Sequence, residues 1–219
     1  YNEIDRPHVV ISLLTSSAKS PTGKLLMCAS NTFIFLEPHG EEPRVIHEMW
    51  DNNMHLMKFS KKLKAGVTYR FSIVGSSITS AHHDDPLNEA ERMTIIAKLE
   101  GRDRLIERHQ KAWSDLWKSD IRIIGDDQVQ QDVHSMLYHL YSFSRAGSNL
   151  SPSPMGLSGL GYNGHVFWDT EIWMYPALLV LQPDMAKSMI QYRFDRLEAA
   201  KKNAFNHGYK GAMFPWESA

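Results

Sequence analysis

The first part of the chain alternates short apolar runs with turn residues, and the later part spaces its apolar residues as on helices. Runs rich in β-branched and aromatic residues occupy 9–14, 32–36, 54–59 and 69–74. Turn-forming residues bound these runs at 20–23 and 38–40. The pattern predicts part of an antiparallel β-sandwich, in which the weakly alternating run 54–59 is an edge strand.

Helical spacing begins directly after this β-rich part. Asp85 and Pro86 have the residue types of a helix N-cap and a first helical position. Apolar residues then follow a helical stripe over 86–118, and Gly101 predicts a break within it. We therefore expect a helical segment of two parts here.

Two more helices are predicted further along. The first begins at Asp126 or Asp127, because an acidic N-cap precedes an apolar stripe. The second begins at Pro183 and continues as one long helix to a His-Gly C-cap signature at 207–208.

Histidine-rich positions could suggest a metal site, but their spacing argues against one. The His-His-Asp-Asp run at 82–85 has adjacent side chains, which point in different directions, so a solvated turn is the better interpretation. His134 and His139 are five positions apart and lie on different faces of a helix. We predict structural roles for both and no metal.

Composition narrows the class of partner. Apolar residues make up 42% of the chain and the net charge is −1, so nothing favours a nucleic-acid or anionic-membrane partner. The apolar run at 173–181 is interrupted by Pro176 and is too short to span a bilayer.

Cys28 is the only cysteine, which excludes an intrachain disulfide and leaves the compartment open. A chain that starts at Tyr1 predicts a processed or trimmed N-terminus.

The segment 164–176 is the best candidate for chemistry, because it places Trp168 and Asp169 side by side among further aromatic and acidic residues. A pyranose ring has an apolar face and a rim of hydroxyls. An indole can supply a platform for the face, and a carboxylate can accept hydroxyl donors in charge-assisted bonds. The alternative is that Asp169 caps a helix while the aromatic residues face a core.

A long loop precedes this segment. Residues 147–164 are rich in Gly, Ser and Pro and show no helical or strand pattern. Loops of this length inside a domain are usually functional or disordered. It is interpreted as the rim of a substrate cleft, with a plain connector as the alternative.

Several blocks of the chain together resemble glycoside hydrolase family 65, whose members hydrolyse or phosphorolyse α-glucosides. The Phe-Trp-Asp block at 167–169 resembles the family's sugar-binding segment. Further blocks that resemble the family lie upstream of this one, at 113–117, 119–121 and 125–131. Others lie downstream in the family's order, at 192–193, 203–204, 208–212 and 215–218. The resemblance is specific over about 105–219 and vague before it.

The resemblance implies an α+β chain. Residues 1–85 would be the later strands, the C-terminal part, of a β-sandwich, 86–125 a helical linker, and 126–219 the first helices of an incomplete (α/α)6 catalytic barrel. On this interpretation the chain is a fragment of a longer enzyme.

The family's motif carries over onto three residues. Trp168 and Asp169 match the Trp-Asp pair that contacts the non-reducing glucose, and Phe167 would support Trp168 from behind. These three are the expected substrate-binding residues.

Two other carboxylates lie in matching blocks. Glu171 and Glu217 are candidates for secondary contacts, and we expect them to bond loop backbone or an arginine such as Arg193 rather than to act as acid or base. The family's general acid lies in a Pro-Asp-Glu-Tyr type segment that 1–219 does not contain. No catalytic residue is therefore expected in this chain.

The resulting prediction is an inverting α-glucoside hydrolase, nearest the acid trehalase and glucosyl-galactosyl-hydroxylysine glucosidase branch. One alternative is an inverting disaccharide phosphorylase, which would use inorganic phosphate as co-substrate. Another is a non-catalytic carbohydrate-binding module. No other cofactor is implied. The expected partners are a small-molecule α-glucoside and the remainder of the catalytic domain, and a homodimer stays open.

Overall fold

A computed structural model of the protein describes residues 2–6, 9–37, 41–51, 54–159 and 161–218. The chain divides into two compact units, 1–111 and 112–219. No helix in the described ranges is long and apolar enough to cross a bilayer.

The first unit is built on antiparallel strands. They are β1 (Asn2–Arg6), β2 (Val9–Lys19), β3 (Leu26–Phe35), β4 (Val45–Asp51), β5 (Met54–Phe59) and β6 (Phe71–Thr79). One sheet has the strand order β1-β2-β3-β6, and β4 pairs with β5 in a second sheet. In β3 alternate residues are buried, as expected for a strand with one face against a core: Cys28, Ser30, Thr32 and Ile34.

Helix α1 (Pro86–Glu100) lies on this sheet through small polar side chains. Thr94 donates to the Ser30 carbonyl at 3.0 Å, and Ser76 donates to the Ala90 carbonyl at 2.6 Å. These bonds satisfy hydroxyls that would otherwise be costly to bury. Helix α2 (Arg102–Leu116) follows directly.

The second unit is mainly helical. Its elements are α3 (Asp127–Phe143), a 3₁₀ turn (Gly161–Gly164), β7 (Val166–Phe167), a π-helical turn (Thr170–Met174), α4 (Tyr175–Leu181), α5 (Pro183–Phe194), α6 (Leu197–Asn206) and β8 (Glu217–Ser218). Its core joins α3, α4 and α5 through Leu137, Tyr141, Leu178, Met185, Ala186 and Met189. Trp113 and Trp117 pack against this core.

The local predictions hold at most places. The four expected strands are present, with Met54–Phe59 in the two-stranded sheet. Asp85 caps α1, and the stripe breaks at Gly101, where φ is 81°. The run at 82–85 is an exposed turn. Strands β1 and β4 were not expected, and the predicted turn at 38–40 lies outside the described residues.

The single long helix predicted after Pro183 is wrong, because the chain breaks between α5 and α6. The Tyr192 carbonyl would accept the Arg196 amide in a continuous helix. Instead the Arg196 side chain donates to it at 3.2 Å, and the Arg196 amide bonds the Arg193 carbonyl at 3.0 Å. Arg196 has φ −105° and ψ 6°, which ends the helical geometry.

The N-cap of α3 gives a test of the local account. Asp126 accepts the Val129 amide at 3.0 Å, so Asp126→Ala should lower the free energy of unfolding by about 1 kcal/mol. Asp132→Ala is the control, because among the described residues this exposed carboxylate bonds Gln128 on the same helix face, an interaction of about 0.2–0.5 kcal/mol. Urea unfolding measures both, and equal losses would contradict the capping role.

Candidate functional site

Two aromatic segments that are distant in the chain meet in the second unit. We call 166–171 the first aromatic segment and 214–218 the second aromatic segment. Their two-residue strands β7 and β8 pair antiparallel, with Val166 opposite Ser218 and Phe167 opposite Glu217. Two of the sequence blocks that resemble the family, 167–169 and 215–218, therefore belong to one local structure.

Trp168 and Trp216 form the aromatic part of the site. Their ring centroids are 5.3 Å apart with planes at 71°, an edge-to-face arrangement. Phe167 is buried, and its ring lies 6.2 Å from that of Trp216. The ring that meets Trp168 is thus Trp216, which sequence reasoning had placed in a matching block but had given no role. Trp168 keeps 42% of its surface exposed.

Arg193 on α5 joins the first aromatic segment to the core. Its Nε and Nη2 donate to the two carboxylate oxygens of Glu171 at 2.8 and 2.7 Å, and Nη2 also donates to the Phe167 carbonyl at 3.1 Å. Arg193 is only 8% exposed. The expectation that Glu171 pairs with an arginine is confirmed, and its oxygens are engaged by the protein.

The π-helical turn follows Asp169. The Tyr175 amide bonds the Thr170 carbonyl five residues earlier, and Pro176, which has no amide hydrogen, comes next. Thr170 is fully buried, and its hydroxyl donates to the Pro152 carbonyl at 2.9 Å. The loop that precedes the segment is therefore anchored beneath it. Single π turns inside helices occur frequently at functional sites.

Asp169 is half-buried, and its side chain has no hydrogen-bond or ionic partner among the described residues. The helix-cap alternative is wrong for this residue. Its backbone is already helical, with φ −50° and ψ −35°, whereas a capping residue normally has an extended backbone. The Trp168 carbonyl accepts the amides of Glu171 and Ile172. The Asp169 carboxylate is therefore available to a ligand.

An open groove of about 530 Å³ lies beside Trp168. It is lined by Trp168, Glu171, Ile172, Arg193, Ala212, Met213 and Phe214. A second depression, of about 460 Å³, lies near Lys187 and Gln191, and no aromatic ring lines it. Of these two, the groove at Trp168 has the aromatic lining that suits a sugar ring.

Glu217 differs from expectation. Its Oε1 lies 2.7 Å from Nδ1 of His165, a residue 52 positions away in the chain, rather than beside an arginine or loop amide. Sequence reasoning missed this contact because His165 and Glu217 become neighbours only through the pairing of β7 with β8.

His134 makes its contacts within the protein. His134 Nε2 lies 2.9 Å from Asp120, and its ring lies 5.2 Å from that of Trp117. Within the described ranges, no group of three or more His, Cys, Asp or Glu side chains could hold a metal ion.

Comparison with known proteins supports one family. The model of the glycosyl hydrolase family 65 central catalytic domain matches residues 134–219. A kojibiose hydrolase of Mucilaginibacter mallensis is 69% identical over the whole chain, and one of Flavobacterium johnsoniae is 60% identical. A nigerose phosphorylase of Lachnoclostridium phytofermentans is 39% identical over 74% of this chain and 22% of its own. The chain spans about a third (32%) of the length of the two hydrolases.

A solved structure shares the fold. The chain matches a putative kojibiose phosphorylase from human microbiome with a TM-score of 0.69, over 99% of this chain and 28% of that one, at 20% identity. This likeness supports the α+β architecture. The family model and the two kojibiose hydrolases lead to one conclusion: the chain belongs to glycosyl hydrolase family 65, and its residues 134–219 match that family's central catalytic domain.

Proposed function

We propose that this chain supplies the glucosyl-binding part of an inverting α-glucoside hydrolase whose general acid lies outside 1–219. The observation that carries the proposal is the exposed Trp168 ring on the wall of an open groove. Asp169 is the next residue in the chain, and its carboxylate has no partner among the described residues. The names of the relatives that match the whole chain, both kojibiose hydrolases, support the substrate class.

The chemistry of the groove suits a sugar. A pyranose would lie with its apolar face against an indole, and its hydroxyls would donate to Asp169. A carboxylate left without a protein partner retains its full accepting capacity for such donors. Phe167 would support the tryptophan pair from the buried side.

The two glutamates take different roles. Glu171 has both oxygens engaged by Arg193, so it is assigned to holding the segment and not to acid or base chemistry. Glu217 is largely exposed beside Trp216 and is assigned as a secondary substrate contact.

We further propose that 1–85 is the later part of a β-sandwich, 86–125 a linker and 126–219 the start of an (α/α)6 barrel. The support is that several large apolar side chains on α4, α5 and α6 face solvent: Val180 at 80%, Phe194 at 66% and Phe205 at 80%. In a closed barrel such side chains would lie between neighbouring helices.

A phosphorylase is the second candidate, because relatives with that activity in their names also match much of the chain. Hydrolysis is favoured, since the relatives named hydrolases match all of it at higher identity. Inorganic phosphate would be a co-substrate only in the second case, so sugar release with and without phosphate separates the two.

The glucosyl-binding role can be tested with Asp169→Asn in the full-length protein. The change keeps the shape and removes the charge, and a charge-assisted hydrogen bond contributes about 1.5–3 kcal/mol. Two such bonds, strengthened as the sugar distorts, predict a loss of about 10²–10⁴-fold in kcat/KM toward kojibiose. The melting temperature should stay close to that of the wild type, because the side chain has no described partner to lose.

Asp132→Asn on the exposed face of α3 is the matched control and should leave the kinetics unchanged. Wild-type kcat/KM in a correctly folded Asp169→Asn preparation would falsify the glucosyl-site assignment.

The isolated chain 1–219 should not turn over kojibiose, nigerose, maltose or trehalose, with or without phosphate. Loss of a general acid costs about 10²–10⁴-fold, and the group on the opposite face of the sugar is expected outside this chain as well. Glucose release is the measurement. Sustained turnover by purified 1–219 would require a catalytic role for Glu171 or Glu217.

The isolated chain should also self-associate. The exposed apolar side chains of its helical unit include Trp173 at 73% and Val180 at 80%. Extended apolar surface of this kind promotes association of soluble proteins. Light scattering over a concentration series should show a rising mean mass, and a compact monomer at high concentration would argue against the incomplete barrel.

A further inference from the structure

We propose that Arg193 is a positioning residue that holds Trp168 and Asp169 in the orientation needed to bind the glucosyl ring. This inference rests on the proposed function of those two residues. It assigns Arg193 a role that acts through the segment it holds, because its Nε and Nη2 are bonded to that segment.

The geometry points to this role because Arg193 bonds the chain on both sides of the pair. Its Nη2 reaches the Phe167 carbonyl, directly before Trp168, and its Nε and Nη2 reach the Glu171 carboxylate, two residues after Asp169. We call this set, Arg193 with the Phe167 carbonyl and Glu171, the Arg193 clamp. A guanidinium is planar, so the two attachment points are fixed relative to each other.

The same helix also holds the second aromatic segment. Tyr192, the neighbour of Arg193 on α5, has its hydroxyl 2.7 Å from that of Ser218 in β8. The Arg193 guanidinium lies 5.7 Å from the centroid of the Phe214 ring. Consecutive residues of one helix thus contact both segments, so α5 sets the separation of Trp168 from Trp216.

Asp169 depends on this arrangement because no described side chain holds its carboxylate. Its direction follows from the backbone between Phe167 and Glu171 alone. Small misplacements at a binding site are costly, and a shift of about 1 Å can reduce catalysis about 10²-fold. Loosening the clamp should therefore reduce sugar binding while Trp168 and Asp169 themselves stay unchanged.

The energetics favour a positional role over a purely stabilising one. Removing two charges from water offsets much of their attraction, so a buried ion pair is weak evidence for stability. Arg193 is buried, the Glu171 side chain is 26% exposed, and Nη1 of Arg193 is buried with no hydrogen-bond partner among the described residues. A buried Nη1 without a hydrogen-bond partner reduces the stability that the ion pair contributes, which argues against a purely stabilising role for Arg193.

The test compares Arg193→Lys and Glu171→Gln with Arg92→Lys in the full-length protein. Lysine keeps the charge of Arg193 but cannot make the forked contact, and Glu171→Gln weakens the same contact from the other side. Arg92 on α1 is the matched control, because its Nε and Nη2 make the same forked contact with Glu89, at 2.8 and 2.7 Å, on an exposed helix face of the first unit.

We expect Arg193→Lys to lower kcat/KM by about 10–100-fold per folded molecule and Glu171→Gln to lower it in the same direction. Arg92→Lys should stay within about twofold of the wild type. Near-UV circular dichroism gives the folded fraction for each preparation. If Arg193→Lys does not fold, Glu171→Gln carries the comparison.

A double-variant cycle separates positioning from general destabilisation. If the clamp acts through Asp169, then Arg193→Lys combined with Asp169→Asn should be within about threefold of Asp169→Asn alone, because the misplaced group is already absent. If the two losses in kcat/KM multiply in full, the inference is overturned and the glucosyl-site assignment stands. Unchanged kinetics in folded Arg193→Lys and Glu171→Gln would lead to the same conclusion. Unchanged kinetics in Asp169→Asn itself would refute both the site and the inference.

Discussion

The ion pair between Arg193 and Glu171 is the interaction on which the arrangement of the site depends. Strands β7 and β8 have two residues each, and a pairing that short is not stable by itself in water. Arg193 holds the first aromatic segment to α5, and α5 is part of the buried core through Met185, Ala186 and Met189. The site is therefore an extension of the helical core.

This arrangement separates support from binding. Phe167 and Thr170 are buried and fix the backbone, whereas Trp168 is exposed and Asp169 is half-buried on that backbone. Both oxygens of the Glu171 carboxylate bond Arg193, whereas the carboxylate of Asp169, two residues earlier, has no partner among the described residues. The two carboxylates of this short segment thus differ, because Glu171 is paired with a cation and Asp169 has no partner in the described ranges.

Local chemistry explains what the sequence could predict. The caps at Asp85 and Asp126, the break at Gly101 and the strand residues 32–35 follow from residue types within a few positions. The break at Arg196 was missed because it depends on a side chain that bonds the carbonyl its own amide would use. The Trp168–Asp169 pair was proposed as a site from its residue types, but the contacts of Trp168 with Trp216 and of His165 with Glu217 depend on pairing between distant segments.

The central claim is that Trp168 and Asp169 bind a glucosyl ring, and a crystal structure of the full-length protein with bound glucose tests it most directly. The account predicts a pyranose whose apolar face lies against the Trp168 indole, with two hydroxyls within hydrogen-bond distance, about 2.5–3.0 Å, of the Asp169 carboxylate. It also predicts that Glu171 remains paired with Arg193. Glucose bound elsewhere, with Asp169 turned away from every hydroxyl, would contradict the account.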